Sequence, residues 1–138
     1  MIPYMFVEAI MHQNHRTMGE AMQQCIDACV SCVSICLRCS DEMIGMDADS
    51  HMDHKDKDIR QVCIRLCQDC AGICVLSAQW MSRLSSSADM LHRVCADICD
   101  RCAEMCERHT LHHPLCEECA AVCRHCAQIC REMPGAAA

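Results

Sequence analysis

Along most of the chain, apolar residues return every three or four positions, and cysteine holds that apolar phase. Cys25, Cys29, Cys32, Cys36 and Cys39 form a first run, and Cys63, Cys67, Cys70 and Cys74 a second. Cys95, Cys99, Cys102 and Cys106 form a third, and Cys116, Cys119, Cys123, Cys126 and Cys130 a fourth. Within each run steps of three alternate with steps of four, the 3.5-residue repeat of a helix seam. A branched or bulky apolar residue often stands just before the cysteine, as do Val62, Leu66, Ile73, Val94, Ile98, Met105, Leu115, Val122 and Ile129. Each segment thus pairs a thiol stripe with an aliphatic one. Its other faces carry solvated residues such as Asp27, Arg38, Asp69, Asp97, Arg101, Glu117 and Glu118. The pattern predicts an all-α chain of four helices, each with one wide apolar face, and bundling buries such faces.

Start and stop signals place these helices. Thr17 and Glu20 have the spacing of a capping box, which predicts a helix over about 17–45. Ser50 or Asp53 can cap a second, over 53–84, and Ser86 with Asp89 a third, over 86–109. Pro114 suits the first turn of a fourth, over 113–133, which Pro134 and Gly135 end. The connections are short, so neighbours run antiparallel in an up-down-up-down four-helix bundle, a single domain over 1–138. Residues 3–13 are expected as a short extra helix whose Met5, Phe6, Ile10 and Met11 cover one end, or else as a frayed terminus.

Composition sharpens the picture. Eighteen cysteines in 138 residues is about 13%, beyond the ~8–10% that marks a cysteine scaffold. One Trp, one Tyr and one Phe leave a buried face made largely of thiols. Four glycines and three prolines are too few for a many-stranded β fold or a knotted small scaffold. The formal net charge of −7 argues against nucleic acid or an anionic membrane as partner. No run of eighteen apolar residues predicts a membrane span. The first residues lack a basic start, are interrupted by Glu8 and show no small-residue cleavage site. A cytosolic chain with reduced thiols is therefore expected.

Several chemistries compete for so many aligned thiols. Disulfides between positions three or four apart on one helix are strained, and many cross-helix bridges do not suit a reducing compartment. Cysteine as a plain small hydrophobe explains one or two buried thiols, not eighteen in register. A thiol enzyme needs a singled-out nucleophile with a lowered pKa in an exposed, electropositive setting, and no cysteine here is set apart, so no enzyme is expected. Metal remains. Zinc and iron–sulfur sites take four convergent ligands, normally from loops and knuckles, whereas these pairs lie inside continuous helices. A zinc or iron–sulfur binding module stays as the alternative. Thiolates select Cu(I), and an i,i+3 or i,i+4 cysteine pair can hold one ion from a single helix. Helical turns repeat every ~5.4 Å, so such sites would line up along the bundle axis. A thiolate carries one negative charge and Cu(I) one positive. Isolated bis-thiolate sites would pile up buried charge, while bridged thiolates at one ion per cysteine give a neutral core. The expected load is on the order of eighteen Cu(I) ions.

The two ends of the predicted bundle differ. One gathers Met43, Met46, His51, Met52, His54, His109, His112 and His113. The seam phase continues onto Met43, Met46, His109 and His113. These and His51 and His54 are candidate mouth ligands, since thioether and imidazole hold Cu(I) more loosely than thiolate; an ordinary polar loop region is the plain alternative. The other end carries Met18, Met22, Trp80, Met81, Leu84, Leu91 and Met133 and reads as a plug. His92 lies in the seam there, as a last ligand or as a satisfied core residue. His12 and His15 read as surface residues, and His125 as lining a helix–helix contact.

The segments CIDACVSCVSICLRC, CIRLCQDCAGIC, CADICDRCAEMC and CEECAAVCRHCAQIC resemble those of the bacterial copper storage proteins, which are cysteine-lined four-helix bundles. Together they cover all four predicted helices. The resemblance implies storage of multiple Cu(I) ions on the eighteen cysteines, a homotetramer of bundles, and copper entering at an open His- or Met-bearing end. Without an export signal, the chain resembles the cytosolic branch. No copper donor or acceptor is readable.

Overall fold

The computed structural model describes residues 17–46, 54–108 and 113–136. It contains α1 (Met18–Met46), α2 (His54–Ser82), α3 (Asp89–Glu107) and α4 (Pro114–Arg131), and no strand among the described residues. The expected short helix over 3–13 lies outside the described residues.

Local chemistry sets the helix ends. At α1 the Glu20 N–H donates to Thr17 Oγ1 at 3.1 Å and the Thr17 N–H to Glu20 Oε2 at 3.4 Å, a reciprocal capping box. α2 stops at Ser82, short of the expected 84, because Leu84 takes a left-handed φ of 56°. The Ser85 N–H then reaches back to the Trp80 carbonyl at 2.9 Å, and the Leu84 N–H to that of Met81 at 3.0 Å. This stop is usually made with glycine, and a leucine there costs roughly 1–2 kcal/mol. Leu84 is 76% exposed as a result and takes no part in the expected plug. Met18, at 58%, is likewise outside it. α3 begins at Asp89 rather than 86, because Ser85 Oγ accepts the Ser87 N–H at 3.2 Å and holds the chain in a tight turn. The expected Ser86–Asp89 cap does not form. His113 is extended (φ −146°, ψ 107°) and feeds Pro114 into the first turn of α4. α4 ends at Arg131, two residues before the expected 133.

The helices form a square. α1 packs on α2 and α4, and α3 on α4 and α2, with α1/α3 and α2/α4 on the diagonals. Cross-helix pairs show the directions. Cys25, Cys32, Cys36 and Cys39 of α1 meet Cys130, Cys123, Cys119 and Cys116 of α4 in descending order. Cys63, Cys67, Cys70 and Cys74 of α2 meet Cys106, Cys102, Cys99 and Cys95 of α3 in the same way. Neighbours are antiparallel throughout, an up-down-up-down bundle.

Small side chains set the spacing. Ala96 and Ala103 on α3 and Ala120 and Ala127 on α4 repeat every seven residues, are buried, and stand next to seam cysteines. Helices faced with Ala and Cys pack toward the close end of the usual ~8–10 Å range. Around the thiols lies a half-buried aliphatic ring that includes Ile26, Val33, Leu66, Ile73, Ile98, Leu115, Val122 and Ile129. It supplies the apolar burial that holds the bundle together, about 25 cal/mol per Å² removed from water. On the outside, Arg124 of α4 bridges to Glu107 and Asp100 of α3, and Arg131 to Asp97 and Asp100. Exposed pairs of this kind contribute about 0–1 kcal/mol each. By length and composition alone α2 could cross a membrane, but its Cys63, Cys67, Cys70 and Cys74 are fully buried against the other helices.

Candidate metal centre

All eighteen cysteines are free thiols, and each is 0–1% exposed. The seam spacing puts every Sγ on the bundle axis. Sulfurs approach across both neighbours and diagonals: Cys32–Cys70 3.4 Å, Cys32–Cys123 3.5 Å, Cys70–Cys99 3.5 Å, and diagonally Cys36–Cys102 3.9 Å and Cys70–Cys123 3.9 Å. A disulfide bond is about 2.05 Å long, so these are contacts, not bonds.

Five sets of four sulfurs lie within 4.8 Å of one another. From one end to the other they are Cys39/Cys67/Cys106/Cys119, Cys36/Cys102/Cys119/Cys123, Cys32/Cys36/Cys70/Cys123, Cys32/Cys74/Cys99/Cys126 and Cys29/Cys95/Cys126/Cys130. Each set shares at least one sulfur with the next, so fifteen cysteines fill the twenty places. The other three extend the column: Cys25 lies 3.6 Å from Cys130, Cys63 3.7 Å from Cys106, and Cys116 3.7 Å from Cys39.

Shared sulfurs decide the chemistry. A mononuclear structural zinc site takes four ligands of its own, and five such sites would need twenty separate thiolates. Overlapping sets suit a soft monovalent ion that takes two or three sulfurs and accepts bridging ones. The thiols are hydrogen-bonded to one another. Cys32 is pushed well below the ordinary thiol range, first by a hydrogen bond with Cys123; Cys119 falls first through Cys102, and Cys95 first through Cys126. Cys36 and Cys106 are pushed far up, first through Cys102, and Cys74 first through Cys126, with burial adding to each.

The ends differ. Met43, 1% exposed, stands one seam step beyond Cys39, and His113, 5% exposed, one step before Cys116. Met46 is half-buried at the last position of α1. His54 opens α2, while His51, Met52, His109 and His112 lie outside the described residues. The structure thus brings Met43 and His113 to the end that holds Cys39, Cys63, Cys106 and Cys116. It adds Arg60, 7% exposed and one step before Cys63. Its seam phase was the signal available for it, and an arginine in that phase is easily taken for a surface residue. At the other end Met81 and Met133 are 1% and 5% exposed, with Trp80, Leu91 and Met22 half-buried beside them. His125 is exposed and borders a groove between α1 and α4, with Asp27 and Ser31 on its far wall.

A four-helix bundle whose interior is one continuous thiol column defines a class: helical containers for many soft metal ions. The comparisons agree. The sequence profile of the copper storage protein family matches residues 12–135, and the chain belongs to this family. A Cu(I)-bound copper storage protein of Bacillus subtilis, BsCsp3, is 33% identical, with a TM-score of 0.71 over 82% of this chain and 97% of that one. A cytosolic copper storage protein of Streptomyces lividans, with five coppers, is 32% identical, with a TM-score of 0.70 over 82% of this chain and 91% of that one. The Streptomyces protein loaded with 10 copper equivalents is 30% identical, with a TM-score of 0.70 over 91% of this chain and 96% of that one. Among curated proteins no sequence matches.

Sulfur sharing makes the cysteines unequal. Cys32 belongs to two sets and Cys63 to none. Metal analysis of copper-saturated variants should show Cys32→Ala losing more than one equivalent and Cys63→Ala about one. Equal losses would contradict shared sulfurs.

Proposed function

We propose that this chain stores Cu(I) in the cytosol, at about one ion per cysteine, with the eighteen thiolates as ligands. The observation that carries this is the overlap of the sulfur sets: bridged thiolates at that ratio leave a neutral interior, and isolated sites would not. The role is that of a store, not of a catalyst. Copper enters where Met43 and His113 sit, because weaker thioether and imidazole donors there can pass an ion inward to thiolates; Met46, His51, His54 and His109 are the further candidate ligands that the sequence offers. Cytosolic residence is supported by the Streptomyces relative, described as cytosolic.

The family resemblance implies a tetramer of bundles, and α1 offers a surface that suits it. Val30, Leu37 and Ile44 repeat every seven residues on its outer face and are 54%, 52% and 49% exposed. A heptad stripe of this kind suits helix-to-helix packing between copies.

Anaerobic titration with Cu(I) against a competing chelator tests capacity. Saturation near eighteen equivalents is expected; saturation at four or fewer would defeat storage. Affinity should rise with pH. Cys36, Cys74 and Cys106, with raised pKa values, hold their protons at neutral pH, and copper must displace them. Lower pH strengthens that competition and weakens binding. Followed in time, His113→Ala should load more slowly with nearly unchanged capacity; an unchanged rate would remove it from the mouth. Leu37→Glu should convert the assembly to smaller species in analytical ultracentrifugation, and persistence of the full-size species would place the interface elsewhere.

A further inference from the structure

The seam does not end with the last cysteines of the roofed end. Three residues before Cys95, in the same phase, stands His92, 3% exposed. Its Nδ1 is enclosed and meets no hydrogen-bonding partner. Buried polar atoms are nearly always paired, because the hydration lost on burial must be replaced. The roof keeps water out: Met81, Met133, Ala88 and Ala136 are 1%, 5%, 5% and 8% exposed. Gly135, with φ 83°, presses the final turn onto the start of α3, where a Cβ would lie 2.8 Å from the Asp89 carbonyl oxygen.

The imidazole has thiol neighbours. Cys25 is lowered below the ordinary thiol range by hydrogen bonds, first with Cys130, then with Cys29, and also with the His92 ring. Cys25 Sγ lies 3.6 Å from Cys130 Sγ, and Cys130 closes the last four-sulfur set. Cys25 itself stands outside every set. An ion held by Cys25 and Cys130 therefore sits where the sulfur column runs out, with the His92 ring, hydrogen-bonded to Cys25, next in the seam. Imidazole is an accepted copper ligand, and as a neutral donor it completes a coordination shell without adding buried charge.

We propose that His92 closes the row: with Cys25 and Cys130 it forms a mixed two-sulfur, one-nitrogen Cu(I) site at the sealed end of the bundle. The two thiols release their protons to solvent, and Nδ1 donates its lone pair from the tautomer protonated at Nε2. The site rests on the storage function proposed above and gives one end of that column a donor the rest lacks. It differs from the mouth, where His113 borders an end through which ions pass. Here the nitrogen is walled in and serves retention.

The test uses full-length protein labelled with ¹⁵N-histidine and loaded anaerobically with Cu(I), which is diamagnetic. Nine histidines contribute, and the His92 resonance is the one missing from His92→Gln. Ultraviolet sulfur-to-copper charge transfer reports thiolate loading independently. The expected result is that this band saturates, the His92 Nδ1 resonance leaves its metal-free position, and His92→Gln surrenders its last copper equivalent to a chelator faster than the parent. A saturated band with the His92 resonance unmoved, or equal retention by the variant, overturns the mixed site and leaves storage standing. Absence of the band defeats storage itself, and the mixed site with it.

Discussion

A dry column of sulfur is the constraint on which the rest of the molecule depends. A neutral thiol is tolerated in an apolar interior, but a thiolate there needs a counter-charge within bonding distance. Protons and soft cations are therefore alternative occupants of the same column. The alternation of lowered Cys32, Cys95 and Cys119 with raised Cys36, Cys74 and Cys106 is the protonated form of that arrangement, with some sulfurs receiving hydrogen bonds and others giving them. Each copper that binds exchanges charge for charge. The core can fill without the electrostatic penalty that would unfold an ordinary bundle carrying as many buried ions.

Sulfur can line the axis only because other residues stabilise the fold. Eighteen thiols and a set of alanines leave little bulky hydrocarbon on the axis. The aliphatic ring of Ile26, Val33, Leu66, Ile73, Ile98, Leu115, Val122 and Ile129 takes that role one layer out. The alanines of α3 and α4 let the backbones approach, and close approach puts diagonal sulfurs such as Cys36 and Cys102 within 3.9 Å. A larger residue at Ala103, which is fully buried, would both overpack the interface and spread the column. Packing and ligand geometry are here one variable.

The regular parts of this design were legible in the sequence, and the irregular parts were not. An alternating three-four step has one helical solution, so the four runs of cysteine specified helix, inward face and register together. Helix ends depend on single backbone conformations that periodicity does not encode. Leu84 reads as a core leucine, yet it adopts the left-handed stop and points to solvent. Ser86 and Asp89 have the spacing of a cap, but Ser85 captures the turn first. Arg60 is hidden by its residue type, although it occupies a seam position. Bridging was expected from charge balance, but which sulfurs are shared was beyond the sequence. Spacing along one helix sets which thiols align, but only the relative heights of four helices decide that Cys32, Cys36, Cys119, Cys123 and Cys126 each serve two sets.

The ends of the column follow from the same physics. In the interior every sulfur has neighbours on both sides, and an ion exchanged there meets equivalent donors. At the roofed end Met81, Met133 and Ala136 are buried over the last sulfurs. The opposite end holds Met43, Arg60 and His113, a thioether, a cation and an imidazole in place of thiolates. On the proposed route, an ion moving inward would exchange thioether and imidazole for thiolates, several of which belong to two sulfur sets. Outward movement reverses that exchange. Release therefore requires something that competes for thiolate, either protons or a stronger sulfur ligand, and the bundle itself holds no element that would supply it among the described residues.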